Sequence, residues 1–226
     1  MTRHIPNLLT LSNLACGCYG TVAVFQGDIQ TGAIMIWLGA GFDFLDGFAA
    51  RILKKFSIIG KDLDSLADLI TFCFLPGAIL FSLINTSNPG FLGFSGFLLV
   101  VFGALRLAKF NNDTRQSETF YGLPVPASAL FVSAFPYFTD QANGFGTYLT
   151  MPVVLVFIAI FLSLMMVSDI KLLALKFKNV SWADNWPRFI LIGISVLFII
   201  VIHVSALPLI ILSYVILSVA INFFQK

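Results

Sequence analysis

The stretch DFLDGFAARILKKFSIIGKDLDSLAD, from Asp43 to Asp68, places five aspartates and four basic residues where two long apolar runs meet. The runs on either side, at about residues 31–53 and 62–84, each have the length and apolarity of a membrane-crossing helix. An acidic residue inside such a span costs roughly 2.5 to 3.5 kcal/mol on insertion scales, so acids retained there mark a functional site. Each residue of a helix advances about 100° around its axis. On the second helix, Asp43, Asp46, Gly47, Ala50 and Arg51 therefore fall within about 140° of arc and form one polar, small-residue stripe. On the third, Asp64 and Asp68 are one turn apart and stack on one face, whereas Asp62 points about 200° away and reads as a helix-start charge.

Working outward, the whole chain has the composition of a protein dissolved in lipid. Its 226 residues are 58% hydrophobic and 11% charged, with a mean hydropathy of +0.95, which excludes an ordinary soluble domain. Apolar spans are expected at about 7–26, 31–53, 62–84, 91–109, 124–139, 148–168, 188–204 and 206–224. The expected fold is an all-α polytopic membrane helix bundle of about eight transmembrane helices. It forms a single integral membrane domain over 1–226, with a catalytic core at about 1–168 and a C-terminal hairpin at about 188–224, split by the turn signal Ser205-Ala206-Leu207-Pro208. A lone Arg3 followed by Pro6, Asn7, Thr10, Ser12 and Asn13 makes a poor signal-peptide core, so the first helix is expected to be retained. Cys16, Cys18 and Cys73 all lie in apolar stretches and read as small hydrophobes.

The net charge of +2 is too small to imply nucleic acid, but its distribution is informative. With the N-terminus inside, all thirteen Lys and Arg residues fall in inside segments: Arg3, Arg51 to Lys61, Arg106 to Arg115, Lys171 to Arg188, and Lys226. The outside turns, around Gln26 to Gln30, Asn85 to Gly90, Asp140 to Thr147 and Ser205, hold none. That segregation is the positive-inside pattern and predicts both termini on the cytoplasmic side of the cytoplasmic membrane.

Helices 2 and 3 are antiparallel neighbours on a short connection, so their acidic stripes can meet just below the cytoplasmic headgroups. Four carboxylates converging in a low dielectric repel one another, and hard divalent cations relieve that repulsion through oxygen ligands. Two Mg²⁺ or Mn²⁺ ions about 3.5 to 4 Å apart would suit Asp43, Asp46, Asp64 and Asp68 and would also clamp a phosphoryl group. Gly47 and Ala50 leave room for a diphosphate, Arg51 offers a donor fork, and Gly60 is expected in a tight turn before helix 3. A different class, a cation transporter using the acids for ion passage, accounts for the same charges without covalent chemistry.

Asp43, Asp46-Gly47, Ala50-Arg51, Gly60, Asp64 and Asp68 resemble, at every spacing, the signature of the CDP-alcohol phosphatidyltransferase family. The resemblance implies an enzyme that displaces CMP from a CDP-linked lipid and joins the phosphoryl group to an incoming hydroxyl. It implies that the four aspartates share two divalent ions and that Asp68 takes the proton of the attacking alcohol, although spacing alone does not separate base from ligand there. It also implies CDP-diacylglycerol contacts at Gly47, Ala50, Arg51, Gly60 and Ser65, and a homodimer.

Three segments resemble the phosphatidylserine synthase branch of that family: Pro6 to Leu14, Asp64-Ser65-Leu66-Ala67-Asp68, and Arg106 to Asn111 followed by Gly122 to Ala127. They cover about the first 130 residues. This implies L-serine as acceptor, with glycerol 3-phosphate or an inositol compound as the alternative. Lys109 stands where the branch more often has Arg, and Cys73 where it commonly has Gly. Arg106, Lys109 and Asn111, at the inner end of helix 4, are expected to bind serine or a substrate phosphate. The competing reading is that the two cations only anchor the helix end. His4 and His203 stand alone, and the 25 Phe residues read as packing and lipid-facing surface.

Overall fold

Helix α1 (Ile5–Phe25) opens with Pro6 in its first turn, where a missing N–H breaks no intrahelical bond. Asp28 then caps α2 (Ile29–Leu53): its carboxylate accepts from the Thr31 backbone N–H at 2.9 Å and from the Thr31 hydroxyl at 2.6 Å. Those two donors hold the Asp28 carboxyl below its ordinary range. The computed structural model describes residues 4–53, 58–87, 90–112, 120–138, 144–173 and 182–224.

The third apolar run forms the centre of the bundle. It begins as α3 (Ile58–Asp68), passes through a π-helical turn (Leu69–Phe74) and continues as α4 (Leu75–Ser87). In its apolar window 72% of residues are buried, against 33% or less in the other long apolar helices, so the remaining elements pack around it. Leu75, Ile79, Leu80 and Ile84 are fully enclosed. A 3-10 segment (Phe91–Phe97) leads into α5 (Leu98–Asn112). The two-residue strand β1 (Phe120–Tyr121) precedes α6 (Val125–Val132); α7 (Phe145–Leu149) and α8 (Pro152–Val167) follow. Strand β2 (Lys171–Leu172) pairs antiparallel with β1, and α9 (Trp182–Ile202) and α10 (Ala206–Phe224) complete the chain.

The chain is a helical integral membrane protein. Ile5–Phe25, Ile29–Leu53, Ile59–Thr86, Phe91–Asn112 and the continuous run Asn185–Phe223 are long and apolar enough to cross a bilayer. The spans expected at 124–139 and 148–168 are occupied by shorter apolar helices, Val125–Tyr137 and Pro152–Val167. The first of these is interrupted after Val132 and resumes as a 3-10 turn containing Pro136, whose ring cannot donate to a helical ladder. The final run divides at the 3-10 turn His203–Ser205, slightly before the expected turn, with His203 at φ 53°.

One local expectation is corrected. Gly60 does not sit in a turn before helix 3, because α3 begins at Ile58 and Gly60 lies in its first helical turn. Hydrogen bonding from that earlier start outweighs the punctuation that a glycine implies in sequence. Of the basic residues that predict topology, Arg3, Lys54, Lys55, Arg115, Lys176, Lys178 and Lys226 lie outside the described residues.

Candidate active site

The two acidic stripes do meet. One carboxylate oxygen from each of Asp43, Asp64 and Asp68 lies within 4.8 Å of the others, bringing α2 and the end of α3 to a common point. Asp68 is buried, and Asp64 Oδ1 is buried with no hydrogen-bond partner among the described residues. Buried carboxylate oxygens without donors are costly unless a cation meets them. Three carboxylates at this separation, one of them with a buried oxygen that lacks a donor, suit a hard divalent ion, which takes oxygen ligands. The chemistry of the donor set therefore fits a metal site. Asp62 is exposed and outside the group, as its helical phase predicts.

Asp46 stands slightly apart. Its Oδ2 accepts a 2.6 Å hydrogen bond from Thr10 Oγ1 on α1, while its charge remains close enough to act on Asp43, Asp64 and Asp68. Four convergent carboxylates were expected; the geometry is three in one cluster and a fourth tethered beside it.

Helix α1 supplies a layer that the sequence reading left out of the site. Asn13 is fully buried, and its Nδ2 donates toward Asp68 Oδ1 at 3.4 Å. Thr71, in the π-helical turn just after Asp68, donates from Oγ1 to the Asn13 carbonyl at 2.9 Å. Side chain and backbone of Asn13 thus both bind the third apolar run, at the place where π geometry alters the helix register. Thr71 fits because two glycines make way for it: a Cβ on Gly17 would lie 2.5 Å from Thr71 Oγ1, and one on Gly39 would lie 2.5 Å from Thr71 Cγ2. The signal was present in Pro6 to Leu14, where Thr10 and Asn13 are polar residues three apart in an apolar helix.

The residues expected to contact the nucleotide lie beside this cluster. Arg51 is exposed and its Nε donates to the Gly47 carbonyl at 2.9 Å, so the side chain folds back along the gap left by Gly47. Gly47 and Ala50 are half-buried. Ser65 Oγ donates to the Lys61 carbonyl at 3.2 Å and accepts from Asn111 Nδ2 at 2.8 Å. Lys61 Nζ in turn donates to the Asn111 carbonyl at 2.7 Å. Two residues expected on different substrates, Ser65 and Asn111, are thus each other's partners and tie α3 to the end of α5.

Arg106 and Lys109 have different surroundings. Lys109 is exposed at the end of α5. Arg106 is buried, and its Nε has no hydrogen-bond partner among the described residues. Its guanidinium lies 5.7 Å from the Phe110 ring centroid and within electrostatic range of Asp68. A helix-end anchor would reach for the lipid headgroups; a buried guanidinium with a donor to spare is equipped to receive an anion. Cys73 is fully buried against α5, where the absence of a side chain on Gly103 makes room for its thiol.

The sequence model of a family described as CDP-alcohol phosphatidyltransferase matches residues 3–224. The chain is 35% identical over 138 residues to a CDP-diacylglycerol–serine O-phosphatidyltransferase of Bacillus subtilis, covering 60% of this chain and 77% of that one. It is 34% identical over 200 residues to the Helicobacter pylori protein of the same name, covering 86% and 81%. It is also 34% identical over 170 residues to an archaetidylserine synthase of Methanothermobacter thermautotrophicus, covering 74% and 68%.

Proposed function

Because this chain belongs to the CDP-alcohol phosphatidyltransferase family, we propose that it transfers the phosphatidyl group of CDP-diacylglycerol to the hydroxyl of L-serine, yielding phosphatidylserine and CMP. The observation that carries the reading is the meeting of Asp43, Asp64 and Asp68 oxygens within 4.8 Å at the junction of two apolar helices. The names of the relatives support serine as acceptor.

Asp43, Asp46, Asp64 and Asp68 would hold two divalent cations, Mg²⁺ or Mn²⁺. When bound, these supply positive charge to the phosphoryl oxygens and to the oxygen of the departing CMP. The chain's own groups do the remaining work. Gly47 and Ala50 leave space for the diphosphate, and Arg51 presents its guanidinium to a phosphate oxygen. Arg106 receives the serine carboxylate in a setting from which water is largely excluded, which strengthens the contact and orients the hydroxyl toward phosphorus. Asp68 accepts the hydroxyl proton as the serine oxygen bonds to phosphorus and the bond from phosphorus to the CMP oxygen breaks. Asn13, donating to Asp68 Oδ1, keeps that carboxylate in place.

The donor's acyl chains remain in the bilayer while serine enters from the cytoplasm. That arrangement goes with eight passes, both termini on the cytoplasmic side of the cytoplasmic membrane, and a homodimer.

The test is CMP release by purified protein with CDP-diacylglycerol, Mg²⁺ or Mn²⁺, and each acceptor in turn. Serine is expected to support release. Release with glycerol 3-phosphate or an inositol phosphate, and none with serine, would refute the acceptor assignment.

A further inference from the structure

The last helix, α10, belongs to the apolar run Asn185–Phe223, only 11% of whose window is buried. Three polar side chains nevertheless recur along α10 at four-residue intervals, Tyr214, Ser218 and Asn222, so they share one face. All three bond the same short segment. Tyr214 Oη donates to the Leu173 carbonyl at 3.0 Å, the Leu173 N–H donates to Ser218 Oγ at 3.1 Å, and Asn222 Nδ2 donates to the Lys171 carbonyl at 2.6 Å. Tyr214 and Ser218 are buried.

On its other edge the segment pairs with β1, Phe120 opposite Leu172 and Tyr121 opposite Lys171. The Gly122 N–H adds a 3.0 Å bond to the Ile170 carbonyl. Gly122 has φ +72°, and a Cβ there would lie 2.5 Å from the Met166 carbonyl oxygen, so the passage of the chain after β1 across the end of α8 admits no side chain. A two-residue ladder is too short to hold a strap in place by itself. The stripe on α10 supplies the missing bonds from the opposite side.

The strap reaches the acceptor side of the site by two routes. Beyond β1, the Leu123 N–H donates to the Met165 carbonyl at 2.9 Å, and Val125 Cγ1 lies 3.8 Å from a Cβ built on Gly103, one turn before Arg106. From α10, the Tyr214 phenol lies within electrostatic range of the Arg106 guanidinium. Polar groups on a lipid-facing helix are retained against a cost, and here their partners lie on the strap that pairs with β1, while Tyr214 itself acts on Arg106.

We propose that the Tyr214–Ser218–Asn222 stripe of α10 is a positioning device for the carboxylate-bearing acceptor: it clamps the Lys171–Leu173 strap and thereby holds Arg106 in register. This rests on the phosphatidyl-transfer reading above and assigns the C-terminal helix a role in acceptor recognition.

The test uses the full chain in mixed micelles, with serine and CDP-diacylglycerol varied separately and CMP release followed. Tyr214→Phe removes only the hydroxyl. It is expected to raise the serine KM about fivefold while the CDP-diacylglycerol KM and kcat stay within about twofold. Ser218→Ala should move the serine KM in the same direction, and Ser218→Thr, which keeps the hydroxyl, should restore it. General loosening of the fold would move both KM values together. An unchanged serine KM in Tyr214→Phe and Ser218→Ala, or an equal rise in both KM values, overturns the proposal while leaving the transfer reading intact. Absence of serine-dependent CMP release from the unsubstituted chain overturns both.

Discussion

Thr10 on α1 donates a 2.6 Å hydrogen bond to Asp46 on α2, joining residues 36 positions apart and fixing the one aspartate of the signature that stands outside the tight cluster. A hydroxyl bonded to a buried carboxylate does two things: it restricts the carboxylate's rotation and occupies one of its lone pairs. The other oxygen stays free of that bond, on a carboxylate whose charge still acts on Asp43, Asp64 and Asp68.

Thr10→Val, which keeps the shape and removes the hydroxyl, is expected to weaken Mn²⁺ activation roughly tenfold to a hundredfold. That is the range for a hydrogen bond to a charged group, about 1.5 to 3 kcal/mol. Thr10→Ser should stay close to the parent. A Mn²⁺ titration of CMP release reads both, and equal activation curves for Thr10→Val and the parent would remove Thr10 from the site.

On the proposed roles, Asp64→Asn and Asp68→Asn should each reduce CMP release by about a thousandfold or more, since each would remove a charge from the cation site and the second would also remove the proton acceptor. Asp62→Asn, whose side chain is exposed and outside the cluster, should stay within about twofold. The contrast separates loss of the site from a general dependence on acidic charge, and chelation by EDTA should reproduce the first pair of effects reversibly.

Arg106 distinguishes anchoring from binding. Arg106→Lys preserves the charge that an anchor needs but loses the planar fork. If the guanidinium holds the serine carboxylate, the serine KM rises roughly tenfold in this variant and little is changed at the exposed Lys109→Gln. Similar, small effects at both positions would favour anchoring.

Gly103 and Cys73 form a packing pair. A Cβ on Gly103 would collide with the Cys73 thiol, so Gly103→Ala is expected to destabilise the fold by about 1 to 3 kcal/mol, the usual cost of overpacking. Cys73→Gly in the same chain should recover most of that loss, giving a large coupling in a double-mutant cycle of thermal midpoints. Gly17→Ala should resist such rescue, because its new Cβ meets the Thr71 backbone N and Cα, each at 2.9 Å, as well as its side chain.

What could be read from the chain before folding follows from local chemistry. Apolar runs of sufficient length announce helices in lipid, and the spacing of Asp43, Asp46, Asp64 and Asp68 announces faces, because a helix converts sequence interval into direction with little help from its neighbours. The same logic set Asp62 apart, and its side chain is exposed and outside the cluster. It failed at Gly60, where a glycine was read as a turn and the helix ran through it.

Only the tertiary arrangement decided which aspartates cluster, and that Thr10, Asn13 and Thr71 surround them. It also decided that Ser65 and Asn111 bond each other and that α10 clasps a strap at Lys171–Leu173. These contacts depend on how closely two helix backbones approach and in what register. Those quantities are set by where glycines remove bulk and where a π turn rotates the chain, and no interval within a single helix encodes them.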